Sequence, residues 1–461
     1  MDWLLKAING VTYFNPLPAF GLAIGLFCLL GLLLGFGRRL GPALRLEQIG
    51  IPIALLAGCL ALGVGPYGWF PLLTESVTDV WLQFPAPLLT LVFATLMLGR
   101  PIPSGRGVWK PIASQSLVGL LLGFGQYLVG GMAVLFVLIP YLGVDPLMGC
   151  LIEVGFEGGH GAAAVMGKSF SGLGFPEGLD LGLAMATVGL LSSTVLGSVL
   201  VVVGRLRGWV VPALSKEVDE KVSLKASTDF VQQFRSFAIN LAFVGLAVLF
   251  GVVMLFLLRL LAPFLGDIFQ EVLLVFPVFP LALLGSLFIR YLLEINGKTD
   301  LISEQLLRDI GILATDLLIT TATASVNLPL LINDWFPLTI LAVAGLIWNL
   351  AGMFFVARLT FKEEWFERSI AEFGNATGVA ASGVLLLRLA DPRNVTSTLP
   401  IFSSTRLFLQ PLLSGGFVTV LAPIAVVKLG LKGWTEVCGL LTILFIFLAF
   451  FLQGSFTEEA V

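Results

Sequence analysis

The sequence predicts an all-α integral membrane protein made of two inverted-topology five-helix repeats, each with a re-entrant pore loop, plus one extra C-terminal hydrophobic helix. Three observations lead to this prediction. Of the 461 residues, 57% are hydrophobic and only 12% are charged, whereas a soluble protein carries about 25% charged residues. Apolar runs of about 20 residues, long enough to cross a bilayer, alternate with short polar connections. A glycine-rich polar segment also occurs twice, once in each half of the chain.

The apolar runs fall into two sets, separated by the one extended hydrophilic stretch of the sequence. The predicted spans are 17–37, 51–66, 82–99, 113–139, 181–203, 236–261, 272–290, 309–332, 336–358, 398–427 and 434–453. The expected divisions are a first repeat over 1–203 with a re-entrant loop at about 140–180, a cytoplasmic linker over 204–235, a second repeat over 236–427 with a loop at about 359–397, and an extra helix and tail over 428–461.

The positive charges predict the orientation in the membrane. Lys and Arg collect after the first, third and fifth spans, and loops rich in these residues are cytoplasmic. The alternate loops hold acidic residues and no Lys or Arg: they are 67–80, 141–147, 262–271 and 333–335. We therefore expect the N-terminus outside and the central linker inside. Because an odd number of spans precedes the linker, the two halves must have opposite topology.

The two glycine-rich segments, 156–164 and 373–381, share the pattern Phe-x-x-x-x-Gly-x-Ala-Ala. A Gly-Met pair lies in the hydrophobic helix before each segment, at 131–132 and 352–353. With opposite topology, the loops enter from opposite faces, and their length and partly apolar character predict hairpins that dip to mid-membrane. Non-helical backbone at that depth is tolerated only against protein or a wet cavity. We therefore expect the two tips to line one polar site.

These loops have the chemistry to bind an anion and a cation together. Free amide groups at the start of a half-helix favour an anionic group, and glycine lets a ligand approach them. The glycines concerned are Gly158, Gly159, Gly161, Gly374 and Gly378. Asn375, Thr377 and Ser382 offer side-chain oxygens, and the first two are candidate ligands of sodium, a hard cation. The alternative is that the glycines only allow close helix packing, as in Gly21-x-x-x-Gly25.

His160 is the only histidine in the chain. A multi-histidine metal site is therefore excluded, and a Ser/His hydrolase would depend on this one position. The sequence leaves two roles open for the imidazole ring. It either makes a structural hydrogen bond that holds the tip of the first loop, or it contacts the substrate or a proton directly.

Three further ionisable residues are candidates for the site. Asp316 lies inside a predicted span, where a carboxylate is costly, and is a candidate sodium ligand with Asn375 and Thr377; the alternative is an ion pair with Arg406. Arg388 and Arg406 compete to bind a substrate carboxylate, because a guanidinium can donate to both oxygens. For Arg388 the alternative is a pair with Asp391 or with phospholipid at the inner surface.

Several classes of function are disfavoured. The four cysteines contain no Cys-x-x-Cys pair and suggest neither disulfide nor metal. The segment 161–169 resembles a phosphate-binding loop, but five residues separate its glycines where the motif needs four. Without a basic tail or stripe, nucleic acid is not an expected partner. A hydrolase would need His160 beside a serine such as Ser169 or Ser192, and no such pair is evident. We therefore expect a transporter with no cofactor, and not an enzyme.

The loop regions resemble a known family. The segments 158–164 (GGHGAAA) and 186–190 (ATVGL) are similar to the first pore-loop region of the bacterial sodium/glutamate symporter family. The segments 372–378 (EFGNATG) and 386–392 (LLRLADP) resemble the second region in one branch of that family. The likeness extends over about 17–427, although only the loop regions are specific. The extra span at 434–453 and the divergent second loop depart from the family pattern.

The resemblance implies a sodium-coupled secondary transporter that imports glutamate, or a similar amino-dicarboxylate, across the plasma membrane. It also implies alternating access, an elevator-like movement, a homodimer in the lipid bilayer and sodium as the coupling ion. The divergent second loop leaves an alternative open, a sodium- or proton-coupled carrier for another organic anion. Two hypotheses from other functional classes remain, an intramembrane hydrolase and a passive channel.

Overall fold

The chain is helical wherever its structure is described. The computed structural model describes residues 28–40, 53–66, 68, 70–72, 75–81, 83–99, 109–211, 230–266, 270, 273, 276–326, 334–393 and 395–454, and within these ranges there is no strand. The start of the first predicted span, most of the predicted linker and the C-terminal tail lie outside them. All-helical architecture is thus confirmed for the described part of the chain.

The helices are numbered here in chain order. They are α1 (28–40), α2 (Ile53–Val64), α3 (Glu75–Trp81), α4 (Pro85–Leu98), α5 (Trp109–Leu142), α6 (Leu151–Gly155), α7 (Gly159–Gly172), α8 (Gly178–Leu206), α9 (Phe230–Leu265), α10 (Phe279–Ile295), α11 (Glu304–Ala324), α12 (Trp335–Thr360), α13 (Trp365–Ala390), α14 (Thr398–Leu409) and α15 (Phe417–Gly454). A 3₁₀ helix, Pro146–Cys150, leads into α6, and Asp145 caps it by accepting a hydrogen bond from the Leu147 N–H at 2.7 Å.

Six of the described helices are long and apolar enough to cross a membrane. They lie at Trp109–Leu142, Gly178–Leu206, Phe234–Phe264, Trp335–Thr360, Trp365–Ala390 and Phe417–Phe451. Large apolar side chains cover their outer faces; on α9, Phe256 and Phe264 are 56% and 85% exposed. Such surfaces need a hydrocarbon environment. The protein is therefore a multi-pass membrane protein.

The described helices pack into two bundles, and each bundle takes helices from both halves of the chain. Bundle A consists of α1–α4 and α9–α11: α4 packs on α10 and α11, and α11 also packs on α2. Bundle B consists of α5–α8 and α12–α15: α5 packs on α15, α12 and α14, and α8 packs on α7 and α13. The contacts between the bundles run mainly through α7, which touches α4 and α11.

The two halves of bundle B repeat one sequence of features. In each half a long helix contains a π-helical segment, Val134–Leu138 in α5 and Gly352–Ala357 in α12. A broken helix follows each one. The first is broken between α6 and α7, and the second is α13, whose backbone is non-helical at Gly378 and Val379. Each half of bundle B thus contains a π-helical segment followed by a helix break, and the inverted repeat stays a prediction.

Several predicted spans have different bounds in the structure. The predicted span 398–427 is wrong as a single helix, because α14 ends at Leu409 and α15 begins at Phe417. Pro411, which has no N–H to donate, lies in this break. The extra C-terminal helix is present, but it follows a kink at Gly430 (φ 76°, ψ 155°) instead of beginning at 434. The predicted spans 51–66 and 82–99 contain helices of only 12 and 14 residues, shorter than the ~20 residues that cross a bilayer.

Candidate functional site

A cavity of about 450 Å³ lies between the two bundles. Its volume is within the range of small-molecule sites, about 300–1,000 Å³. Bundle A lines it with a largely apolar wall: Leu89, Val92, Phe93, Thr315, Leu318 and Ile319. Bundle B supplies glycines and most of the polar groups, including Glu157, His160, Asn375, Ser382, Gln410 and Ser414. An apolar wall opposite a few polar groups is the usual composition of a ligand site.

Three breaks in the helices of bundle B meet at this cavity. The first lies between α6 and α7, the second at Gly378 and Val379 in α13, and the third between α14 and α15. The first two are in direct contact: a Cβ added at Gly159, whose φ is +67°, would lie 2.3 Å from Cγ1 of Val379. Val379 itself has φ 69° and ψ 166°, a region that is essentially restricted to glycine. The two glycine-rich segments of the sequence are therefore in contact.

The start of α7 presents backbone amide groups to the cavity. Gly158, Gly159 and Gly161 line it. The Gly158 N–H donates to the Glu153 carbonyl at 2.9 Å, so the available groups are the N–H groups in the first turn of α7, which have no partner within that helix. Gly161 also has to be small, because a Cβ there would lie 3.0 Å from Leu89 and 3.3 Å from Leu318 of bundle A. These amides and the helix dipole favour an anionic group.

His160 makes a structural hydrogen bond at the cavity wall, and its contact with a substrate or a proton stays a prediction. Its ring lines the cavity, and Nε2 lies 3.0 Å from Oγ1 of Thr187 in α8. The Thr187 hydroxyl donates its hydrogen to the carbonyl of Leu183 at 3.0 Å. Nε2 must therefore be the donor to Thr187, and in the neutral ring Nδ1 is then an acceptor. The hydrogen bond fixes the ring at the cavity wall.

Two buried amides hold the second break. Nε2 of Gln126 and Nδ2 of Asn349 donate to the carbonyl of Ala376 at 2.5 and 3.1 Å, and Nδ2 of Asn349 lies 3.0 Å from Oγ1 of Thr377. Carbonyls freed by a helix break need such partners. Thr377 is fully buried and lies outside the cavity lining. It therefore positions the break and does not line the cavity.

The remaining glycine and the serine near this break have separate places. Gly374 packs against Gly383, since a Cβ at Gly374 would lie 2.6 Å from Cα of Gly383, and it does not line the cavity. Gly378 and Ser382 both line the cavity, and the Ser382 hydroxyl donates to the Gly378 carbonyl. Of the predicted residues in this segment, Asn375, Gly378 and Ser382 are at the cavity.

Neither predicted arginine lines the cavity. Arg406 is 2% exposed and donates to both carboxylate oxygens of Glu372, at 2.7 and 2.8 Å. Because this pair is formed inside bundle B, the predicted alternative of a pair between Arg406 and Asp316 is wrong. Arg388 is exposed on α13, and its predicted partner Asp391 instead accepts hydrogen bonds from residues 395 and 396.

Asp316 lies away from the other predicted sodium ligands. Its side chain is 25% exposed and lies 3.6 Å from Arg38 of α1, inside bundle A. Asn375 lines the cavity, whereas Asp316 does not. Asp316 is thus paired with Arg38 instead of lining the cavity, and its role as a sodium ligand stays a prediction. Among the described residues, no group of three His, Cys, Asp or Glu side chains is placed to hold a metal ion.

Sequence reasoning missed Glu153 and Glu157 as site residues. Glu157 is 1% exposed and lines the cavity. Glu153 is fully buried and accepts hydrogen bonds from Tyr127 at 2.5 Å, from Thr419 at 2.8 Å and from the Ser414 N–H at 3.1 Å. The sequence did contain a signal. Two carboxylates lie four residues apart in an apolar membrane segment, where ionisable residues are energetically costly and are candidates for a functional site by default.

Comparisons with known proteins identify the family. The family model for the sodium/glutamate symporter matches residues 26–363, so α13 lies just beyond the match. No curated protein matches the chain. Among solved structures, the chain is similar to the sodium proton antiporter MjNhaP1 from Methanocaldococcus jannaschii, with 14% identity, a TM-score of 0.40 and coverage of 92% of this chain and 99% of that one. The matched range exceeds half of the chain, and the protein therefore belongs to the sodium/glutamate symporter family and is a sodium-coupled transporter, not an enzyme.

Proposed function

We propose that the protein imports glutamate across the plasma membrane and that the sodium gradient drives this import. The observation that carries the proposal is the contact between Gly159 and Val379, at the wall of a cavity that two bundles share. In transporters built from repeats, substrate and ion sites form where broken helices of the two repeats meet. Family membership supplies the sodium coupling, and the cavity supplies the place for the substrate.

The cavity has groups that suit an amino-dicarboxylate. The first-turn amides of α7, at Gly159 to Gly161, and those that follow the second break bind carboxylate groups. His160 and Ser382 lie on the same wall and orient the substrate. Arg406 does not contact the substrate in this proposal. Instead, its Nη1 lies 3.9 Å from Oε1 of Glu157 and stabilises that buried carboxylate at the back of the cavity wall.

Alternating access follows from movement of bundle B past bundle A. The cavity wall on bundle A is mostly leucine, valine, isoleucine and phenylalanine side chains, so few hydrogen bonds need to break when α7 slides along it. Sliding of packed elements is an established mode of conformational change. An elevator-like movement of this kind would carry the substrate with the broken helices of bundle B.

The proposed topology places the two loops on opposite faces of the membrane, with the N-terminus outside and the linker cytoplasmic. Ser171, near the end of α7, and Arg393, after α13, are both exposed. An impermeant maleimide should label Ser171→Cys in intact cells and Arg393→Cys only after permeabilisation. Labelling of both from the same side would remove the inverted arrangement. The proposed homodimer is tested separately, by the mass of the purified protein in detergent after correction for the micelle.

Uptake into proteoliposomes tests the function itself. We expect labelled L-glutamate to accumulate above its equilibrium level when an inward sodium gradient is imposed. With potassium in place of sodium at equal ionic strength, uptake should fall to the level of protein-free liposomes. Accumulation that is indifferent to sodium would exclude glutamate symport.

Competition distinguishes glutamate from another organic anion, the alternative left open by the divergent second loop. We expect unlabelled glutamate to compete at lower concentration than aspartate, glutarate or citrate. If sodium-driven uptake of one of the other acids is faster and glutamate does not inhibit it, the protein carries that acid. Replacing the sodium gradient by a proton gradient in the same assay separates sodium coupling from proton coupling.

A further inference from the structure

A column of charged and polar side chains runs through the interior of bundle B along one face of α5. Gln115, Gly119, Gly123 and Tyr127 recur every four residues on this face, over about 18 Å at 1.5 Å per residue. The two glycines leave room for charges: a Cβ at Gly119 would lie 3.1 Å from Arg406, and one at Gly123 would lie 2.9 Å from Oε2 of Glu157. The face therefore accommodates charged groups of α13, α14 and the first break.

The column contains one carboxylate more than it has guanidinium groups. In order along α5 its charged members are Arg368, Glu372, Arg406, Glu157 and Glu153, all buried. Nη2 of Arg406 donates to both oxygens of Glu372, and its Nη1 lies 3.9 Å from Oε1 of Glu157, too far for a hydrogen bond. Arg368 donates to Gln115 and to the hydroxyl of Ser114, both at 2.8 Å. A buried charge that lacks a partner costs several kcal/mol. With all five groups ionised, the column carries a net charge of −1.

Of the three carboxylates, Glu157 has the weakest set of partners. Glu153 accepts three hydrogen bonds, as described above, and Glu372 accepts from Gln115 and Arg406. Glu157 has much weaker partners: Oε1 accepts from Nδ2 of Asn375 at 3.3 Å and from the Ser414 hydroxyl at 3.1 Å. Its Oε2 is buried with no hydrogen-bond partner, and so is Oδ1 of Asn375.

These two oxygens belong to side chains joined by a hydrogen bond of 3.3 Å, and two neighbouring buried acceptors that lack donors among the described residues fit a cation. A water molecule would satisfy the hydrogen-bonding capacity of both oxygens, but the charge of Glu157 would then be balanced only by the 3.9 Å contact with Nη1 of Arg406. Sodium is a hard cation that binds carboxylate, amide and hydroxyl oxygens, which are the groups present here. Both oxygens are closed off from the open part of the cavity, and this favours a small ion without its water shell over the ammonium group of a substrate.

The three oxygen-bearing residues come from the three helix breaks. Glu157 lies in the first break, Asn375 lies three residues before the second, and Ser414 lies in the third. An ion bound to all three would hold the breaks in the arrangement that forms the cavity. Ion binding and substrate binding then stabilise the same state, which is the thermodynamic requirement for coupling.

We propose that Glu157, Asn375 and Ser414 bind the coupling sodium ion, at a site that adjoins the substrate cavity and excludes Asp316 and Thr377. This inference rests on the proposed function for its transport readout, but its binding readout is independent of glutamate. The oxygen ligands are the carboxylate of Glu157, Oδ1 of Asn375 and the hydroxyl of Ser414.

Two measurements on purified protein test the proposal. The first is the rise in Tm that sodium chloride causes relative to choline chloride at equal ionic strength, since a ligand that binds only the folded state stabilises it. The second is the sodium concentration that gives half-maximal glutamate uptake. In Glu157→Gln, we expect the sodium-specific rise in Tm to disappear and the half-maximal sodium concentration to increase at least about tenfold, because the charged ligand is lost.

Further variants keep the proposal testable if Glu157→Gln does not fold. Asn375→Ala and Ser414→Ala each remove one neutral oxygen, and we expect increases of roughly three- to tenfold in the half-maximal sodium concentration. Asp316→Asn is the matched comparison, because it neutralises the carboxylate that the sequence suggested as a ligand. Its sodium dependence should remain within about twofold of the wild type. Loss of sodium dependence in Asp316→Asn with none in Glu157→Gln would overturn the proposal.

Other outcomes would reassign Glu157. Glutarate has the two carboxylates of glutamate without the ammonium group. If Glu157→Gln changes the ratio of glutamate to glutarate affinity but not the sodium dependence, the carboxylate binds the ammonium group. If the variant loses only the pH dependence of uptake, the carboxylate binds a proton. Absence of sodium-driven glutamate uptake in the wild type, with the sodium-specific rise in Tm intact, would refute the proposed substrate and leave the ion site standing.

Discussion

Gly159 is the residue at which the two broken helices of bundle B touch. Its φ of +67° and the 2.3 Å that would separate an added Cβ from Val379 both require glycine. A side chain in the left-handed region costs roughly 1–2 kcal/mol before any clash is counted. We expect Gly159→Ala to lower Tm and to abolish sodium-driven uptake, because the tips of the two segments would be forced apart.

Gly172→Ala is the control for that substitution. Gly172 is in the same helix, α7, and a Cβ there would meet no atom within 4 Å. Exchange of a helical glycine for alanine gains roughly 0.5–1 kcal/mol through backbone entropy. Tm should therefore stay the same or rise, with uptake unchanged. If both variants behave alike, the contact between Gly159 and Val379 is not what holds the site.

Arg406 supports the structure through Glu372. Breaking a buried ion pair by removing one partner costs roughly 3–5 kcal/mol, so we expect Arg406→Met to be strongly destabilised in denaturant titrations in mixed micelles. Glu372→Gln in the same chain should recover part of that loss, with a coupling energy of roughly 0.5–3 kcal/mol. Arg388→Met, an exposed control, should change stability by no more than about 0.5 kcal/mol.

A different result would restore the role that the sequence suggested for Arg406. If Arg406→Met unfolds like the wild type but loses affinity for glutamate while keeping affinity for sodium, the guanidinium contacts the substrate. In the structure both of its strong hydrogen bonds are to Glu372. For that reason we expect the effect on stability to dominate.

At the scale of the element, α13 consists of two helical segments joined at a strained break, Gly378 and Val379, and the segments pack against each other at Gly374 and Gly383. Gln126 and Asn349 donate hydrogen bonds to the Ala376 carbonyl, just before the break. Val379, at the break, has a backbone conformation that costs roughly 1–3 kcal/mol for a residue with a side chain. Strain of this kind persists only where the surroundings enforce it. The break is therefore maintained by α5 and α12.

Two substitutions at Val379 measure this strain. Val379→Ala and Val379→Gly both remove the contact with Gly159, but only glycine adopts φ 69° without strain. We expect Val379→Gly to unfold at a higher denaturant concentration than Val379→Ala, with a difference of roughly 1–2 kcal/mol. If alanine is the more stable of the two, the backbone at this position is not strained in the membrane.

The helices and their breaks also show how much of the structure the sequence predicts. The repeated Phe-x-x-x-x-Gly-x-Ala-Ala pattern pointed to the segments around Gly159 and Val379, and the structure brings these segments together. The third break could not be separated from its surroundings, because 398–427 reads as one apolar run despite Pro411. Hydropathy predicts the approximate ends of the membrane helices, but it does not predict which helix faces pack against each other. The pairing of Arg406 with Glu372 therefore needed the tertiary structure.

At the scale of the molecule, each bundle combines helices from both halves of the chain. Bundle A takes the first helices of each half, and bundle B takes the later ones. Because each bundle contains helices of both halves, the cavity lies between the two bundles and does not separate the first half of the chain from the second. If transport requires bundle B to slide along bundle A, a covalent link between them must stop it, whereas a link within one bundle must not.

Two pairs of phenylalanine rings provide that comparison. Phe276, just before α10, packs against Phe417 of α15 across the bundles at 5.9 Å and 49°, and Phe124 packs against Phe445 within bundle B at 5.6 Å and 46°. Each pair is replaced by cysteines in a background that lacks the exposed Cys28 and Cys59. A mercuric ion or a short bis-methanethiosulfonate reagent, which releases sulfinate as it forms a disulfide with each cysteine, then links the pairs over similar separations. Since the rings are alike in distance and tilt, the position of the link is the main difference.

We expect cross-linking of Phe276→Cys with Phe417→Cys to abolish sodium-driven uptake and to leave sodium-dependent stabilisation intact, because the ion site lies inside bundle B. A thiol reductant should restore uptake. The link between Phe124→Cys and Phe445→Cys should have little effect, since those helices move together. If the inter-bundle link leaves uptake unchanged, access to the cavity alternates through local movement of the helix breaks, and bundle A and bundle B form one rigid unit during transport.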